Sequence, residues 1–326
     1  MIERIVLMED DCCDEGPTLI EISDSSVERE EQSYDISQWS SVDNKIISVN
    51  NTFPKLEPGY YSIRNSQTLG IHFIKDKISL NKLYRLPNEA TDTILNDINK
   101  FWTLRETYDK YERVYKRNYL IYSAPGTGKT SLINIMCQDL IDKYNGIVFS
   151  IGSEYELELF IDAIKKVRTI EPDTKIITII EDIDTFCNFK NGSLNSLLLN
   201  ILDGNYKTDN LVIIATTNYI EKLEERYVNR PSRFDRVIEF PLPNDESRRI
   251  FIEKTVSPDD IDRINIDKWV KRTKGFSIDH INELIILYFV FGHDEEESFK
   301  TIENIIKNHT HRSNKTSVNK REIDFE

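Results

Sequence analysis

Cysteine and histidine are scarce in this 326-residue chain, and it has no long apolar run. The four cysteines stand at 12, 13, 137 and 187. Cys12 and Cys13 are neighbours and no C-x-x-C pair occurs, so neither a disulfide framework nor a cysteine zinc site is expected. A reducing cytoplasm suits such thiols. The five histidines, His309-Thr-His311 included, lack metal-ligand spacing, and the absence of His-Glu-x-x-His excludes an attached zincin protease. The longest apolar stretch, Leu284 to Phe291, is far short of a bilayer span and reads as a buried helix. The first ten residues hold too short an apolar core for a secretion signal, and no membrane partner is expected. Basic charge is also in deficit, with 42 Lys and Arg against 56 Asp and Glu, a net of −14. Residues 1–45 carry thirteen acids and three bases, a net of −10, which leaves −4 for the rest. An acidic chain is a poor ligand for polyanions, so nucleic acid is disfavoured as the main partner.

What is present falls into five stretches. Residues 1–45 are acidic and Ser-rich and read as a flexible arm, or as an acidic docking segment. Residues 46–86 hold short β-prone runs between turn signals such as Pro58-Gly59 and are expected to form a small β-rich module. Over 87–243, strands predicted at 118–123, 147–151, 175–181, 210–216 and 236–241 alternate with helical patterns. That alternation implies an α/β domain with a parallel five-stranded sheet and ligands at the carboxyl ends of its strands. Residues 244–308 show helical periodicity alone and predict a small all-α domain, and 309–326 form a polar tail.

Behind the strand Tyr119-Leu-Ile121 comes Ser123-Ala124-Pro125-Gly126-Thr127-Gly128-Lys129-Thr130-Ser131. Glycines at 126 and 128 let successive backbone N–H groups turn inward around a phosphate, and the helix beginning near Lys129 adds its positive dipole end. Lys129 is expected on the β- and γ-phosphates of ATP, and the Thr130 hydroxyl on Mg²⁺. Ser123 occupies the place where the P-loop pattern has its first glycine, a tight position that a small side chain tolerates at some strain.

Hydrolysis needs a further carboxylate on the metal and one to orient water. The apolar strand Lys175–Ile180 ends in Glu181-Asp182-Ile183-Asp184, roughly fifty residues after the P-loop. Glu181 is assigned to the Mg²⁺ shell and Asp182 to the attacking water, an order reversed from the commoner Asp-Glu. A second apolar strand, Leu211–Thr217, ends at Asn218, which could bridge the γ-phosphate and water. Arg230 and Arg233 follow in Asn229-Arg-Pro-Ser-Arg-Phe-Asp-Arg236 and are candidate arginine fingers.

These motifs, with Leu197-Leu-Leu-Asn-Ile-Leu-Asp-Gly204 and Ala215-Thr-Thr-Asn218 between them, together resemble the AAA family within the AAA+ ATPases over about residues 88–308. The Glu-Asp order and the Tyr115-Lys-Arg-Asn-Tyr-Leu-Ile-Tyr lead-in look most like the branch of the Rieske-protein translocase and its phage-encoded relatives. The resemblance implies an ATP-hydrolysing homo-oligomeric ring, usually hexameric. Asn218 would be sensor 1, with Arg230 and Arg233 acting on a neighbour's ATP. In a phage-borne chain the site of action would be the host cytoplasm. Thr273-Lys-Gly-Phe-Ser277 resembles the start of the lid helix bearing sensor 2, yet no arginine follows; Asp279 and His280 fall there instead. The aromatic–apolar–Gly loop with which AAA unfoldases grip polypeptide is missing from Ser150-Ile-Gly-Ser-Glu-Tyr155, and Tyr155 and Tyr206 are read as packing residues. The leading expectation is ATP-driven remodelling of an unknown protein or complex. A DNA-linked viral ATPase and a nucleotide switch or scaffold with little hydrolysis stand beside it.

Overall fold

A computed structural model describes residues 38–42, 45–49, 52, 54–76, 84–187, 192–206, 208–228, 230 and 232–308. Most of the expected arm and the whole polar tail therefore lie outside the described residues. The chain divides into two units, Met1–Phe53 and Pro54–Glu326. In the first, β1 (Gln38–Val42) pairs antiparallel with β2 (Lys45–Val49), with Gln38 opposite Val49.

The second unit opens with β3 (Gly59–Ser66), β4 (Gly70–Asp76), α1 (Glu89–Phe101) and α2 (Arg105–Lys110). There follow β5 (Lys116–Tyr122), α3 (Lys129–Tyr144), β6 (Ile147–Ile151), α4 (Glu154–Ile170) and β7 (Ile176–Ile180). Then come α5 (Ile183–Cys187), α6 (Gly192–Asp203), β8 (Leu211–Thr217), α7 (Glu225–Val228) and β9 (Arg236–Glu239). The strands form one sheet in the order β4-β3-β6-β7-β8-β5-β9. The five parallel strands expected from the sequence are all there, in the order β6-β7-β8-β5-β9. Their apolar runs are long because both faces are covered. Alternate residues of β8 point to opposite sides: Ile213 joins a core with Phe160 and Ile164 of α4, and Val212 and Ile214 join one with Ile98 of α1 and Ile133 of α3.

One expectation is corrected here. Residues 59–76 do not belong to a separate β-rich module, because β3 pairs in parallel with β6 and carries β4 antiparallel on its other side. A lone hairpin cannot bury its own apolar face. Tyr61 and Ile63 of β3 reach burial by extending the larger sheet, and Phe73 lies 5.2 Å from Phe149 of β6. The sheet is thus seven-stranded.

Beyond Pro243 the regular elements among the described residues are helices: α8 (Asp245–Thr255), α9 (Ile266–Arg272), α10 (Ile278–Ile285), which runs into a wider π-helical turn (Ile286–Val290), and α11 (295–308). Side-chain caps start each of the first three: Asn244 accepts from Ser247 N, Asn265 from Lys268 N and Ser277 from His280 N. Their apolar faces close a core of their own around Trp269, fully buried with its ring edge-on to Phe299 at 5.5 Å. Among the described residues no helix is long and apolar enough to cross a membrane.

Candidate functional site

Three adjacent strands, β7, β8 and β5, end side by side. Tyr122 is in register with Thr217, and Ile180 with Ala215. The residue following each strand therefore emerges about one strand spacing, ~5 Å, from the next. Ser123, Glu181 with Asp182, and Asn218 are the residues so delivered, which is why motifs far apart in the chain meet.

Between β5 and α3 the loop takes left-handed turns at Gly126 (φ +75°) and Gly128 (φ +102°), conformations strained for any residue with a Cβ. Ser123 fills the unusual first position without disturbing the loop. It is buried, its amide donates to Thr217 O at 3.3 Å, and its hydroxyl lies 2.6 Å from Thr127 Oγ1. Lys129 is buried at the head of α3 and spends its ammonium on neutral oxygens: Asn218 Oδ1 at 2.5 Å, Ser123 Oγ at 2.6 Å and Ser123 O at 3.4 Å. Desolvation lowers its pKa, and the carboxylates of Asp182, Glu181 and Asp279 pull the other way. A cation held this way has strong reason to take an anionic ligand.

Thr130 Oγ1 donates to Glu181 Oε2 at 3.0 Å, so the hydroxyl and carboxylate assigned to Mg²⁺ already converge. The described residues contain no group of three or more His, Cys, Asp or Glu able to hold a metal alone. The Thr130 hydroxyl and Glu181 carboxylate are oxygen donors of the kind Mg²⁺ takes beside waters and substrate phosphates. Asp182 sits in the left-handed region at φ +49°, a strained place for a non-glycine residue, and its Oδ1 accepts from Asn218 Nδ2 at 3.3 Å. Glu181 is thereby turned toward the P-loop and Asp182 toward Asn218. Behind them, residues not singled out from the sequence hold the strand ends together. Thr217 Oγ1 donates to the buried Asp184 at 2.6 Å, and Asp182 N donates to Thr216 Oγ1 at 3.3 Å.

A cleft adjoins the P-loop. Tyr84, Leu132, Ile135, Phe240, Phe251 and Ile278 supply its apolar walls, and Thr127 and Gly128 its loop side. The Tyr84 hydroxyl donates to Lys254 O at 3.0 Å and its ring meets Phe251 edge-on at 6.2 Å. Its apolar walls beside the loop could take the flat face of a nucleotide base. Sequence reasoning missed this wall because it is assembled from stretches more than 150 residues apart with no shared pattern.

The two arginines separate. Arg233, expected as a projecting finger, is only 6% exposed. Its guanidinium donates to Asp203 at 3.2 and 3.3 Å and to Arg226 O, and its carbonyl accepts from Asn118 Nδ2 at 2.6 Å. The expectation of an interface position for Arg233 is therefore corrected: it is a buried fastener between α6 and the start of β5. Arg230 is exposed and touches Asp203 only at 3.6 Å. Asn118 lies five residues before Ser123 on β5, roughly 16 Å at strand rise, so the arginine cluster sits at the opposite end of β5 from its own phosphate loop. Asn229 and Pro231 lie outside the described residues.

The loop after β6 is tied down. Glu156 accepts from Gly152 N at 2.9 Å and from Arg64 of β3, and Tyr155 donates to Asn65 O at 3.2 Å. Tyr206 is partly buried against the core.

Comparison with known proteins agrees with this geometry. Residues 119–242 match the family described as ATPase family associated with various cellular activities (AAA). The chain is 30% identical over 182 residues to Protein HYPER-SENSITIVITY-RELATED 4 of Arabidopsis thaliana, across 49% of this chain and 30% of that protein. An AAA-ATPase of the same plant is 31% identical over 164 residues, 45% of this chain and 32% of the relative. The ATP-dependent zinc metalloprotease FtsH 2 of Thermoanaerobacter sp. (strain X514) is 28% identical over 215 residues, 59% and 40% respectively. The chain thus spans about a third of the length of the curated relatives it matches.

Proposed function

With residues 119–242 as an AAA-family ATPase domain, we propose that the chain binds ATP with Mg²⁺ and hydrolyses it, in a ring of identical chains that remodels a protein or protein complex. The observation that carries the reading is the convergence of Lys129, Thr130, Glu181, Asp182 and Asn218 at the ends of three neighbouring strands. Lys129 and the loop amides of 126–131 hold the β- and γ-phosphates. Thr130 and Glu181 would hold Mg²⁺, which neutralises charge on the transferring phosphoryl group. Asp182 accepts the proton of the attacking water, and Asn218, in contact with both Asp182 and Lys129, orients that water against the γ-phosphate. Arg230 is the better finger toward a neighbouring chain, since it is exposed beside Asp203, away from the end of β5 that carries its own phosphate loop. The reversed Glu181-Asp182 order is the trait that favours the Rieske-translocase-like branch and its phage relatives. A cytoplasmic setting suits the buried free thiols of Cys137 and Cys187.

The loop after β6 lacks an aromatic grip and is bound to β3 through Glu156 and Arg64, so substrate choice falls to residues 1–86.

Asp182→Asn is the direct test. The amide keeps the shape and the contact with Asn218 but cannot take a proton. Mg-ATP affinity should stay within about threefold of wild type while kcat falls by 10² to 10⁴ or so, measured by calorimetry and phosphate release. A variant that turns over ATP at the wild-type rate would exclude Asp182 as the base. If Glu181→Gln alone gave that split, the two carboxylates have the opposite roles.

A further inference from the structure

The lead-in Tyr115-Lys116-Arg117-Asn118 stands at the end of β5 remote from the phosphate loop, and there it meets the last turn of α6. A helix leaves its final carbonyls without partners of its own. Lys116 supplies them from the sheet: its Nζ donates to Ile201 O at 2.8 Å and to Leu202 O at 2.7 Å. Asn118, on the same face of β5, donates Nδ2 to Leu202 O at 2.9 Å and to Arg233 O at 2.6 Å. An ammonium at this end of a helix also lies at the negative pole of the helix dipole. The chain then turns across the ammonium at Gly204 (φ +79°), where a Cβ would stand 3.4 Å from Lys116 Nζ.

Between those carbonyls and that glycine lies Asp203. It accepts from Arg233 Nε at 3.2 Å, from Arg233 Nη2 at 3.3 Å and from Ser232 Oγ at 3.2 Å, and its Oδ2 is 3.6 Å from Arg230 Nη1. Asp203 thus locates the arginine segment, and Lys116 locates Asp203. Burial pushes the Lys116 pKa down to about 8, against the pull of Asp235 and Asp203. Of the other charges nearby, Arg233 is engaged with Asp203, and Arg117 pairs with Asp97 and Asp235. The register partner of Lys116 on β8 is the uncharged Leu211. We propose that Lys116 is a positioning residue for ATP hydrolysis between chains: its charge holds the last turn of α6 on β5 and so sets, through Asp203, where Arg230 stands toward a neighbour's γ-phosphate. The inference rests on the reading of Arg230 as the finger.

Lys116→Met keeps the apolar stem and removes the charge and its donors. Mg-ATP affinity should stay within about threefold of wild type while kcat falls roughly 10- to 100-fold, since Arg230 is displaced and not removed. Lys116→Arg keeps a cation with donors and should return kcat to within about threefold of wild type. Mixing locates the defect. A Lys116→Met chain has an intact pocket, and a Lys129→Ala chain has an intact Lys116 and Arg230. Excess Lys129→Ala should therefore raise the turnover of each Lys116→Met pocket several-fold. The unsubstituted chain gives a reading that needs no core substitution: its kcat should fall as pH rises through about 8. A lysine whose folded pKa lies below its unfolded value sheds its proton without loss of stability, so the melting temperature should hold while the rate declines. Lys116→Arg, charged throughout, should keep its rate over the same range. A folded Lys116→Met chain with wild-type kcat overturns the proposal, and so does a wild-type rate that ignores pH in that range. A Lys116→Met defect that Lys129→Ala chains cannot relieve also overturns it, because the fault would then lie in its own pocket. Wild-type turnover in Arg230→Ala is a separate result, which removes the finger reading and this inference with it.

Discussion

Replacing Lys129 with alanine is expected to abolish measurable ATP binding, with affinity falling on the order of 100-fold or more. The ammonium is the cation at the centre of the loop, and all three of its hydrogen bonds go to neutral oxygens of Ser123 and Asn218. Nothing in the loop replaces that charge, because the remaining donors are backbone amides and hydroxyls. The variant also removes the donor to Asn218 Oδ1, whereas the Ser123 hydroxyl keeps Thr127 Oγ1 and Ala124 O, so the cost to stability is about 1 kcal/mol. A thermal melt alongside the titration separates a folded chain that cannot bind from an unfolded one. Unchanged nucleotide affinity in folded Lys129→Ala would sink the P-loop assignment.

Arg230→Ala should cut hydrolysis by a factor on the order of 10³ with folding and nucleotide binding intact, the loss typical of a missing finger. Arg233→Ala should behave differently. Its guanidinium is buried against Asp203 and the Arg226 carbonyl, so removal leaves a carboxylate short of its partner and costs about 3 kcal/mol or more. It should therefore lower the melting temperature before any kinetic effect can be read. The trans geometry has its own test. Arg230→Ala keeps a complete pocket and Lys129→Ala keeps its arginines, so mixing the two inactive variants should restore part of the activity at mixed joints. Wild-type specific activity should also fall on dilution below the assembly threshold. If co-assembled variants never regain activity, Arg230 does not act across chains. If Arg233→Ala melts like wild type, the fastening role given to it here is wrong.

The contrast between these two arginines marks how far a linear reading reaches. Both stand in one short basic motif, and side-chain chemistry alone makes them equivalent. Arg233 is buried because Asp203 at the end of α6 and Asn118 at the start of β5 meet it, and neither lies near it in the chain. The small β module failed for a similar reason: the short β-prone runs in residues 46–86 announced strands, but strand pairing is a long-range choice, and the edge of β6 offered Tyr61 and Ile63 a burial that an isolated hairpin lacks.

Where the information is local, the chain spelled out its own structure. The apolar β-branched runs could only be strands covered on both faces. Glycines at 126 and 128 before a lysine could hardly serve anything but an anion-binding turn, and the carboxylates closing the run Ile176–Ile180 announced polar chemistry at a strand end. Tertiary structure decided the matters that depend on which strand ends are neighbours. It turned Glu181 toward Thr130 and Asp182 toward Asn218. It built an apolar cleft from Tyr84, Phe240 and Phe251, and it brought Asp279 of a distant helix onto Gly126. Periodicity and turn chemistry act over a few residues and can be read along the chain, whereas burial and register are settled between segments that meet only once the sheet has closed.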